Sequence, residues 1–354
     1  MPLERLRVEN VRCLSSVELV LGARQNFVFG PNGAGKTSLL ESMFMLGRGR
    51  SFRTRQTGRL LKKGTSRLSV FGEVREGQAV RRIGVAFSAG NLEVRIDGGN
   101  EQSLVELART FPVHVIDPRA HDLIEAGPSE RRRFLDAGVF HVEQAYLDAW
   151  RGFRRALGQR NAALKQGASG QLGIWDGVFL QSAEEVHAAR ERYVQALGAA
   201  FAGIGQRLLG RAVTLEYEAG WRRGERLEAA LRDSRGRDLK HGFTQVGPHR
   251  ADLGIRLGTS TARDTASRGQ QKLIAAALVI AQVGTFAASS GYGGLLLVDD
   301  PAAELDPQAL GLLRSELERV EAQLVMTGIS EQALAPGPGH PVFHVEQGEI
   351  RAVL

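Results

Sequence analysis

Eight consecutive residues constrain this chain more than any others: Gly30-Pro31-Asn32-Gly33-Ala34-Gly35-Lys36-Thr37. A short apolar segment, Asn26–Phe29, runs into them, and Ser38-Leu39-Leu40-Glu41 starts a helix behind them. Glycines at these spacings let successive backbone N–H groups curl around a phosphate, a lysine reaches the β and γ oxygens, and a hydroxyl holds Mg²⁺. The positive end of the new helix adds to the same place. The residues expected to line a nucleotide site are therefore Gly30, Pro31, Asn32, Gly33, Ala34, Gly35, Lys36, Thr37 and Ser38.

A second element lies far downstream. Leu295-Leu296-Leu297-Val298-Asp299-Asp300 is an apolar strand ending in two carboxylates. Alone, Asp-Asp marks a turn; downstream of a phosphate loop it reads as a Walker B strand. Asp299 is then expected to share a Mg²⁺ shell with Thr37, and Asp300 to polarise an attacking water. Phosphoryl transfer asks little of a protein beyond positioning and charge compensation, so Lys36 and Asp300 would suffice as catalytic groups. Between the two elements, Ser267-Arg268-Gly269-Gln270-Gln271-Lys272 opens an apolar helix, Leu273–Ile280. Ser267 suits an N-cap, and Gly269 lets another backbone come close.

With 354 residues the chain has room for about two domains. A hydrophobic share of 43% with 24% charged residues is that of a folded protein, neither disordered nor fibrous. The single cysteine, Cys13, excludes an internal disulfide framework and a cysteine-based zinc module. Met1–Asn10 carries charges where a signal peptide has an apolar core. The longest apolar run, Leu273–Ala281, is about half of a membrane span. A soluble, cytoplasmic protein without membrane partners is expected.

Strands are predicted at Leu6–Val11, Val17–Leu21, Asn26–Phe29, Leu68–Val74, Val80–Phe87, Leu92–Ile96 and Pro112–Ile116, with a hairpin turn at Ser88–Asn91. After Gly127-Pro128, a helical stripe runs through Leu135, Val139, Val142, Tyr146, Trp150, Phe153 and Leu157. Gly167–Gly173 interrupts it, and a second stripe continues from Phe179 to Leu208, so two long antiparallel helices are expected. Further strands follow at Leu295–Asp299, Leu324–Thr327 and Val342–Val345, and Asp306-Pro307 starts a helix. Because β/α segments flank the helical stretch, the chain reads as one discontinuous α/β domain, residues 1–125 plus 245–354, interrupted by a helical arm at residues 126–244.

The formal charge is +7, and 40 of the 46 basic residues are arginine. From Arg48 to Arg82 nine Arg and two Lys face only Glu73 and Glu76. Such a run is either a solvated face or a phosphate-binding surface, since guanidinium forks suit phosphate oxygens. Arg48, Arg50, Arg53, Arg55, Lys62 and Lys63 are the candidate DNA contacts.

In its order between the phosphate loop and the Asp-Asp strand, Ser267-Arg268-Gly269-Gln270 resembles the signature of ABC-type ATPases, and Asp306 in Glu304-Leu305-Asp306 resembles their D-loop. The resemblance is closest to the RecF family of bacterial recombinational-repair proteins and covers essentially the whole chain. It is carried by Asn26–Glu41, Gly49-Arg50-Ser51-Phe52-Arg53, Arg131–Asp136, Gln159-Arg160-Asn161-Ala162 and Gly247-Pro248-His249-Arg250-Ala251-Asp252-Leu253, with the signature and the Asp-Asp strand. It implies an ABC-type ATPase head of mixed sheets and helices with a helical insertion. It also implies ATP and Mg²⁺ as cofactors, with Asp299, Ser267, Gly269, Gln270 and Asp306 added to the nucleotide-binding set.

The implied partners are duplex DNA and single-strand/duplex junctions, a second copy of the chain in an ATP-dependent homodimer, RecR, and RecO and RecA in the same pathway. A nucleoid-associated place in the cytoplasm and a part in SOS induction and replication restart go with them. Met326-Thr327-Gly328-Ile329 lacks the switch histidine of transporters, no Q-loop glutamine is evident, and Asp300 stands where transporters carry Glu. Slow, DNA-dependent hydrolysis, a switch more than a motor, is therefore expected.

Rival readings are a transporter ATPase, a structural DNA-organising ATPase of the SMC class, and a nuclease. About 230 residues between Thr37 and Ser267 are too many for the first, and the insertion is too short for the second. No metal-ligating carboxylate cluster stands apart for the third. His114, His121 and His141 have no metal-ligand spacing, and the role of His249 stays open.

Overall fold

The computed structural model describes every residue except 102, 168–171, 304 and 354. It forms two compact units, Met1–Ala120 with Ala275–Leu354, and His121–Ile274. The chain opens with β1 (Leu3–Val11), β2 (Leu14–Val20), β3 (Gln25–Phe29) and α1 (Lys36–Arg48). It continues with β4 (Arg67–Glu76), β5 (Ala79–Ser88), β6 (Asn91–Ile96), β7 (Gly99–Glu101), α2 (Leu104–Thr110) and β8 (Val113–Ile116). The second unit contains α3 (Asp122–Glu125), α4 (Pro128–Val142), α5 (Tyr146–Lys165), α6 (Leu172–Leu209), β9 (Val213–Glu218), α7 (Leu227–His241), β10 (Asp252–Leu257), β11 (Ser260–Thr261) and α8 (Ala262–Thr265). Helix α9 (Arg268–Ser290) returns the chain to the first unit. There β12 (Leu295–Val298), α10 (Pro307–Glu318), β13 (Gln323–Gly328), α11 (Glu331–Leu334), β14 (Val342–Glu346) and β15 (Glu349–Val353) complete it.

Two six-stranded sheets build the first unit. One, ordered β2-β1-β4-β5-β6-β7, is antiparallel throughout. Its alternating residues, among them Leu6, Val8, Val17, Leu19, Val70 and Val85, enter the core. The other, ordered β15-β14-β3-β13-β12-β8, is parallel from β14 to β8, with β15 antiparallel at the edge. Every residue of β12 and β13 is buried, as covered parallel strands require.

Helix α1 touches β1, β4 and β5 of the first sheet and β8 and β13 of the second. It has little solvent face, and eleven of its thirteen residues are buried. One of them is Glu41, whose carboxylate accepts from Arg12 (Nη2–Oε1 2.9 Å) and from the Ser51 hydroxyl. Gln323, also fully buried, joins the two sheets: its amide donates to the Leu3 and Gly22 carbonyls (2.8 and 2.7 Å) and accepts from the Leu3 N–H at 2.8 Å.

The second unit differs from the sequence expectation in two ways. The stripe from Leu135 to Leu157 is carried by two helices, because the chain leaves the helical conformation between Val142 and Tyr146. Residues 126–244 are also not wholly helical. Strand β9 pairs along its length with β10, Val213 opposite Leu257 and Glu218 opposite Asp252, and Arg131 of α4 holds Asp252 with two bonds of 2.7 and 2.8 Å. That ladder brings residues 245–274 into the second unit, together with residues 121–125. Of the interruption expected at Gly167–Gly173, residues 168–171 lie outside the described ones.

Helix α9 is longer than its apolar run suggests. By length and composition its 23 residues would cross a membrane, but two-thirds of that stretch is buried inside the protein. Thr285, Ser289 and Ser290 bond back to the carbonyls of Ala281 and Phe286, which pairs their hydroxyls on the helix itself, and Ser289 and Ser290 are exposed at its last turn.

Buried arginines bind the second unit together. Arg160, fully buried, donates to Asp176, Asp238 and Thr244 at 2.8, 2.7 and 2.8 Å, and Asn161 accepts from the Thr244 N–H and hydroxyl. Arg190 donates to Asp136 and to the Pro248 carbonyl. Arg132 donates to the Ala251 carbonyl at 2.7 Å. The Gly247–Leu253 block is thus a hub for the long helices. Its His249 Nε2 meets the Thr244 carbonyl at 2.9 Å, beside Phe153 and Phe179.

Burial is the main force lowering the His249 pKa to about 4; the Thr244 bond opposes it, and Arg250, Arg132 and Arg154 assist it. The unfolded chain, with an ordinary imidazole, takes up this proton first as pH falls. Stability is therefore complete above about pH 6.5, declines toward pH 4 and levels off below, a loss of about 3 kcal/mol from this residue. Urea midpoints at pH 7 and 4.5 should fall less in His249→Gln than in the parent; equal falls would exclude the assignment.

Candidate functional site

The glycine-rich loop between β3 and α1 takes a backbone path closed to other residues. Gly30 has φ +156° and a Cβ there would lie 2.1 Å from the Val345 carbonyl oxygen. Gly35, at φ +124°, would meet Cys13 and Leu14 at 3.1 Å. Helix α1 then begins with no side-chain cap and no acidic residue in its first turn. Its leading N–H groups and positive dipole end are left for an anion. The Lys36 ammonium, buried within the loop, donates to the carbonyls of Gly30 and Pro31 at 2.8 and 3.1 Å.

Three elements meet at one carboxylate. The Thr37 hydroxyl donates to both oxygens of Asp299 at 3.1 and 3.0 Å, and the Thr327 hydroxyl, from β13 between β3 and β12, donates to Asp299 Oδ1 at 2.9 Å. The same Thr327 oxygen accepts the Asp300 N–H at 3.0 Å. This bond helps hold Asp300 at φ +47°, a left-handed conformation strained for a residue with a side chain. Asp300 Oδ1 is buried and has no hydrogen-bond partner among the described residues. Burial raises the Asp300 pKa and Asp299 adds to the rise, with Lys36 opposing it.

These groups share a cavity of about 370 Å³ lined by Asn32, Gly33, Gly35, Lys36, Thr37, Ser38, Asp299 and Asp300. Phe52, Arg53, Asp117, Pro118 and Arg119 complete the lining. Arg119 donates to the Phe52 carbonyl at 2.8 Å and stands 3.5 Å from Asp117, tying the loop after α1 to the end of β8. The Asp117 pKa is raised by burial and by Asp299, against the pull of Arg119.

Sequence reasoning missed Thr327, Asp117 and Arg119. Thr327 lies inside the Met326–Ile329 segment, and Asp117 directly follows a predicted strand, but the pairing of that strand with the Asp-Asp strand, which would have marked Asp117, is seen only in the structure. Gly30, Pro31 and Ala34 shape the loop without lining the cavity, and Ala34 N–H bonds the Pro31 carbonyl. Asp306 caps α10 by accepting from Ala309 N–H at 2.9 Å. Its neighbour Glu304 lies outside the described residues. Ser267, Gly269 and Gln270 are in the second unit and do not line this cavity. Ser267 and Gln270 cap the start of α9 reciprocally, each side chain accepting from the other's N–H at 3.3 and 3.0 Å, and Gly269 has open space around it.

The basic stretch divides. Arg48, expected at a DNA surface, instead directs its guanidinium at the Val113 carbonyl, and burial lowers its pKa to about 10. Arg67, Arg75, Arg81 and Arg82 pair with Glu93, Glu4, Glu76 with Asp97, and Glu73 on the antiparallel sheet. Lys62 donates to the Ser15 hydroxyl. Among the described residues Arg50, Arg53, Arg55 and Arg59 form no ion pair, and they and Lys63 are exposed. Arg53 lines the cavity as well, its backbone N–H held at 2.9 Å by Ser51, which is itself bonded to Glu41 of α1.

Comparison with known proteins identifies this arrangement. Residues 2–349 match the family described as RecF/RecN/SMC N terminal domain. The DNA replication and repair protein RecF of Shewanella baltica (strain OS185) is 38% identical over 359 residues, covering 100% of both chains. The chain belongs to the RecF family. RecF of Azotobacter vinelandii is 41% identical over 99% of the chain and 98% of its own length. The solved structure of the recombination mediator protein RecF-ATP in the RecFOR pathway superposes with a TM-score of 0.87 at 25% identity, covering 100% of this chain and 98% of that one. An SMC head bound to the C-winged helix domain of ScpA, at 16% identity and a TM-score of 0.60, shares the fold. The fold is the α/β ATPase head common to RecF and SMC proteins, and the transporter reading falls away.

Thr327→Val keeps the shape of the buried side chain but leaves the Asp300 N–H unpaired and removes one of the two donors to Asp299 Oδ1, Thr37 remaining as the other. It should cost about 1–3 kcal/mol of stability in urea unfolding, whereas Thr327→Ser, which keeps the hydroxyl, should cost clearly less.

Proposed function

We propose that this member of a DNA replication and repair family is an ATP-dependent DNA-binding protein of recombinational repair, in which ATP joins two copies of the chain around DNA. The observation that carries the reading is the convergence of Lys36, Thr37, Asp299 and Asp300 on one cavity at an uncapped helix N-terminus. The residues fit ATP with Mg²⁺. A buried ammonium held by two carbonyls, an acid-free first turn and a hydroxyl facing a carboxylate are the donor set that a metal-bound triphosphate needs.

ATP with Mg²⁺ would supply the charge that binds two subunits and the phosphoanhydride whose cleavage releases them. Gly33–Ser38 would hold the phosphates through backbone N–H groups, and Lys36 would exchange its carbonyl partners for phosphate oxygens. Thr37 and Asp299 would hold the metal, with Thr327 fixing the carboxylate. Asp300 would orient water. Ser267, Gly269 and Gln270 of one subunit would contact the phosphates held by the other, with Asp306 at the same interface. With no switch histidine and an aspartate as base, hydrolysis would be slow and DNA-dependent.

Arg50, Arg55 and Lys63 would contact duplex DNA or single-strand/duplex junctions, in work shared with RecR and, along the pathway, RecO and RecA during SOS induction. This work belongs in the cytoplasm, at the nucleoid.

Light scattering with and without ATP tests the reading. Lys36→Met should remain monomeric in ATP; ATP-driven dimers of that variant would defeat the model. Asp300→Asn should dimerise with ATP and lose phosphate release, and retained turnover would remove Asp300 from the catalytic role.

A further inference from the structure

Helix α5 carries five basic residues, Arg151, Arg154, Arg155, Arg160 and Lys165, against the single acid Asp148. Arg160 is buried in the core, and Arg151 stands 3.7 Å from Asp148. Arg154 and Lys165 are exposed and eleven residues apart, three helical turns, so they share a face about 16 Å long. Between them Gly158 has nothing near the position of a Cβ, which leaves the helix backbone open there.

The segment after α7 runs beside the same face. Thr244 bonds to Asn161 of α5, and a Cβ on Gly242 would lie 3.4 Å from Lys165 Cγ. The exposed Arg250 stacks over Phe243 with its guanidinium carbon 5.3 Å from the ring centre, and Arg154 stacks over Trp150 at 5.6 Å. Arg132, Arg154 and Arg250 all act electrostatically on His249, so each lies within electrostatic reach of that ring. None has an acidic partner among the described residues. The acids within electrostatic reach of Arg132, Asp136 and Asp252, are taken by Arg190 and Arg131.

We propose that Arg154, Lys165 and Arg250, on the helical unit, form a second contact for the phosphate backbone of duplex DNA, separate from the Arg50–Lys63 loop. Positive charges left without counter-ions gain most from a polyanion, and a face about 16 Å long runs beside some five base-pair steps of duplex axis at ~3.4 Å each. Guanidiniums held flat on aromatic rings are already ordered, so less freedom is lost when they bind phosphate. Nothing on this face reads base edges, so the contact is sequence-independent.

The inference rests on the DNA-binding reading, and the test separates the two. Duplex affinity of the full chain with ATP is measured across salt concentrations for the parent, for Arg50→Gln/Arg55→Gln and for Arg154→Gln/Lys165→Gln. Each lost phosphate contact should reduce the log–log slope by about 0.9, so the helical-unit variant should lose about 1.8. Arg154→Lys, which keeps the charge, should retain the parent slope. A parent without salt-dependent DNA binding would defeat the proposed function itself. A parent and loop variant that behave as expected, with the helical-unit variant unchanged in slope, would overturn this inference and leave the face to an acidic protein partner. Arg250→Gln is a second variant of the same face, and an unchanged slope there counts against the proposal equally.

Discussion

The Asp299 carboxylate is where three parts of the chain, far apart in sequence, are made to agree. Thr37 reaches it from the phosphate loop and Thr327 from the strand between β3 and β12, while Asp299 itself directly follows β12. A buried carboxylate needs such donors, because a charge without partners is costly in a low-dielectric interior. The parallel sheet supplies them through its strand order. Side chains at the carboxyl ends of adjacent parallel strands come within reach of one another, and the crevice there is where α/β sheets bind ligands.

Around that centre the first unit is organised by burial. Sandwiched between two sheets, α1 leaves little room for exposed polar groups, so Glu41 turns inward and is met by Arg12 and Ser51. Ser51 in turn holds the backbone of Arg53, whose side chain lines the cavity. The first residues of the basic loop are therefore positioned by the helix that begins at the phosphate loop. The second unit uses a different device: fully buried arginines whose donors are nearly all satisfied by aspartates, carbonyls and a threonine.

Much of the site was legible because its chemistry is local. Gly30–Thr37 and Leu295–Asp300 each carry their own signal within eight residues, and the alternation in β1, β4 and β5 marks one buried face. Thr327 and Asp117 gave no such signal, since a threonine inside an apolar strand and an aspartate before proline become informative only once strand order is known. The three-stranded sheet was missed because β9 and β10 are 33 residues apart, with α7 between them. Periodicity predicted the residues facing the core from Leu135 to Leu157 but not the break in the helix. A turn that preserves the spacing of apolar residues does not disturb the pattern. Arg48 shows the limit of charge counting: its sign was evident from sequence, but its half-buried place against the Val113 carbonyl was not.

The bonds from Gln323 to Leu3 and Gly22 also set an order of events during synthesis. Strand β3 has no sheet neighbour until β13 and β14 exist, almost 300 residues later. At a typical elongation rate of ~5–20 residues per second, the phosphate loop waits about 15–60 s for its sheet. The second unit, continuous in the chain, is complete about 50 residues before β13, roughly 2–10 s earlier at the same rate. A nascent chain halted near Ser290 would carry a complete helical unit and an unfinished nucleotide site, so binding competence is acquired only as the last strands emerge.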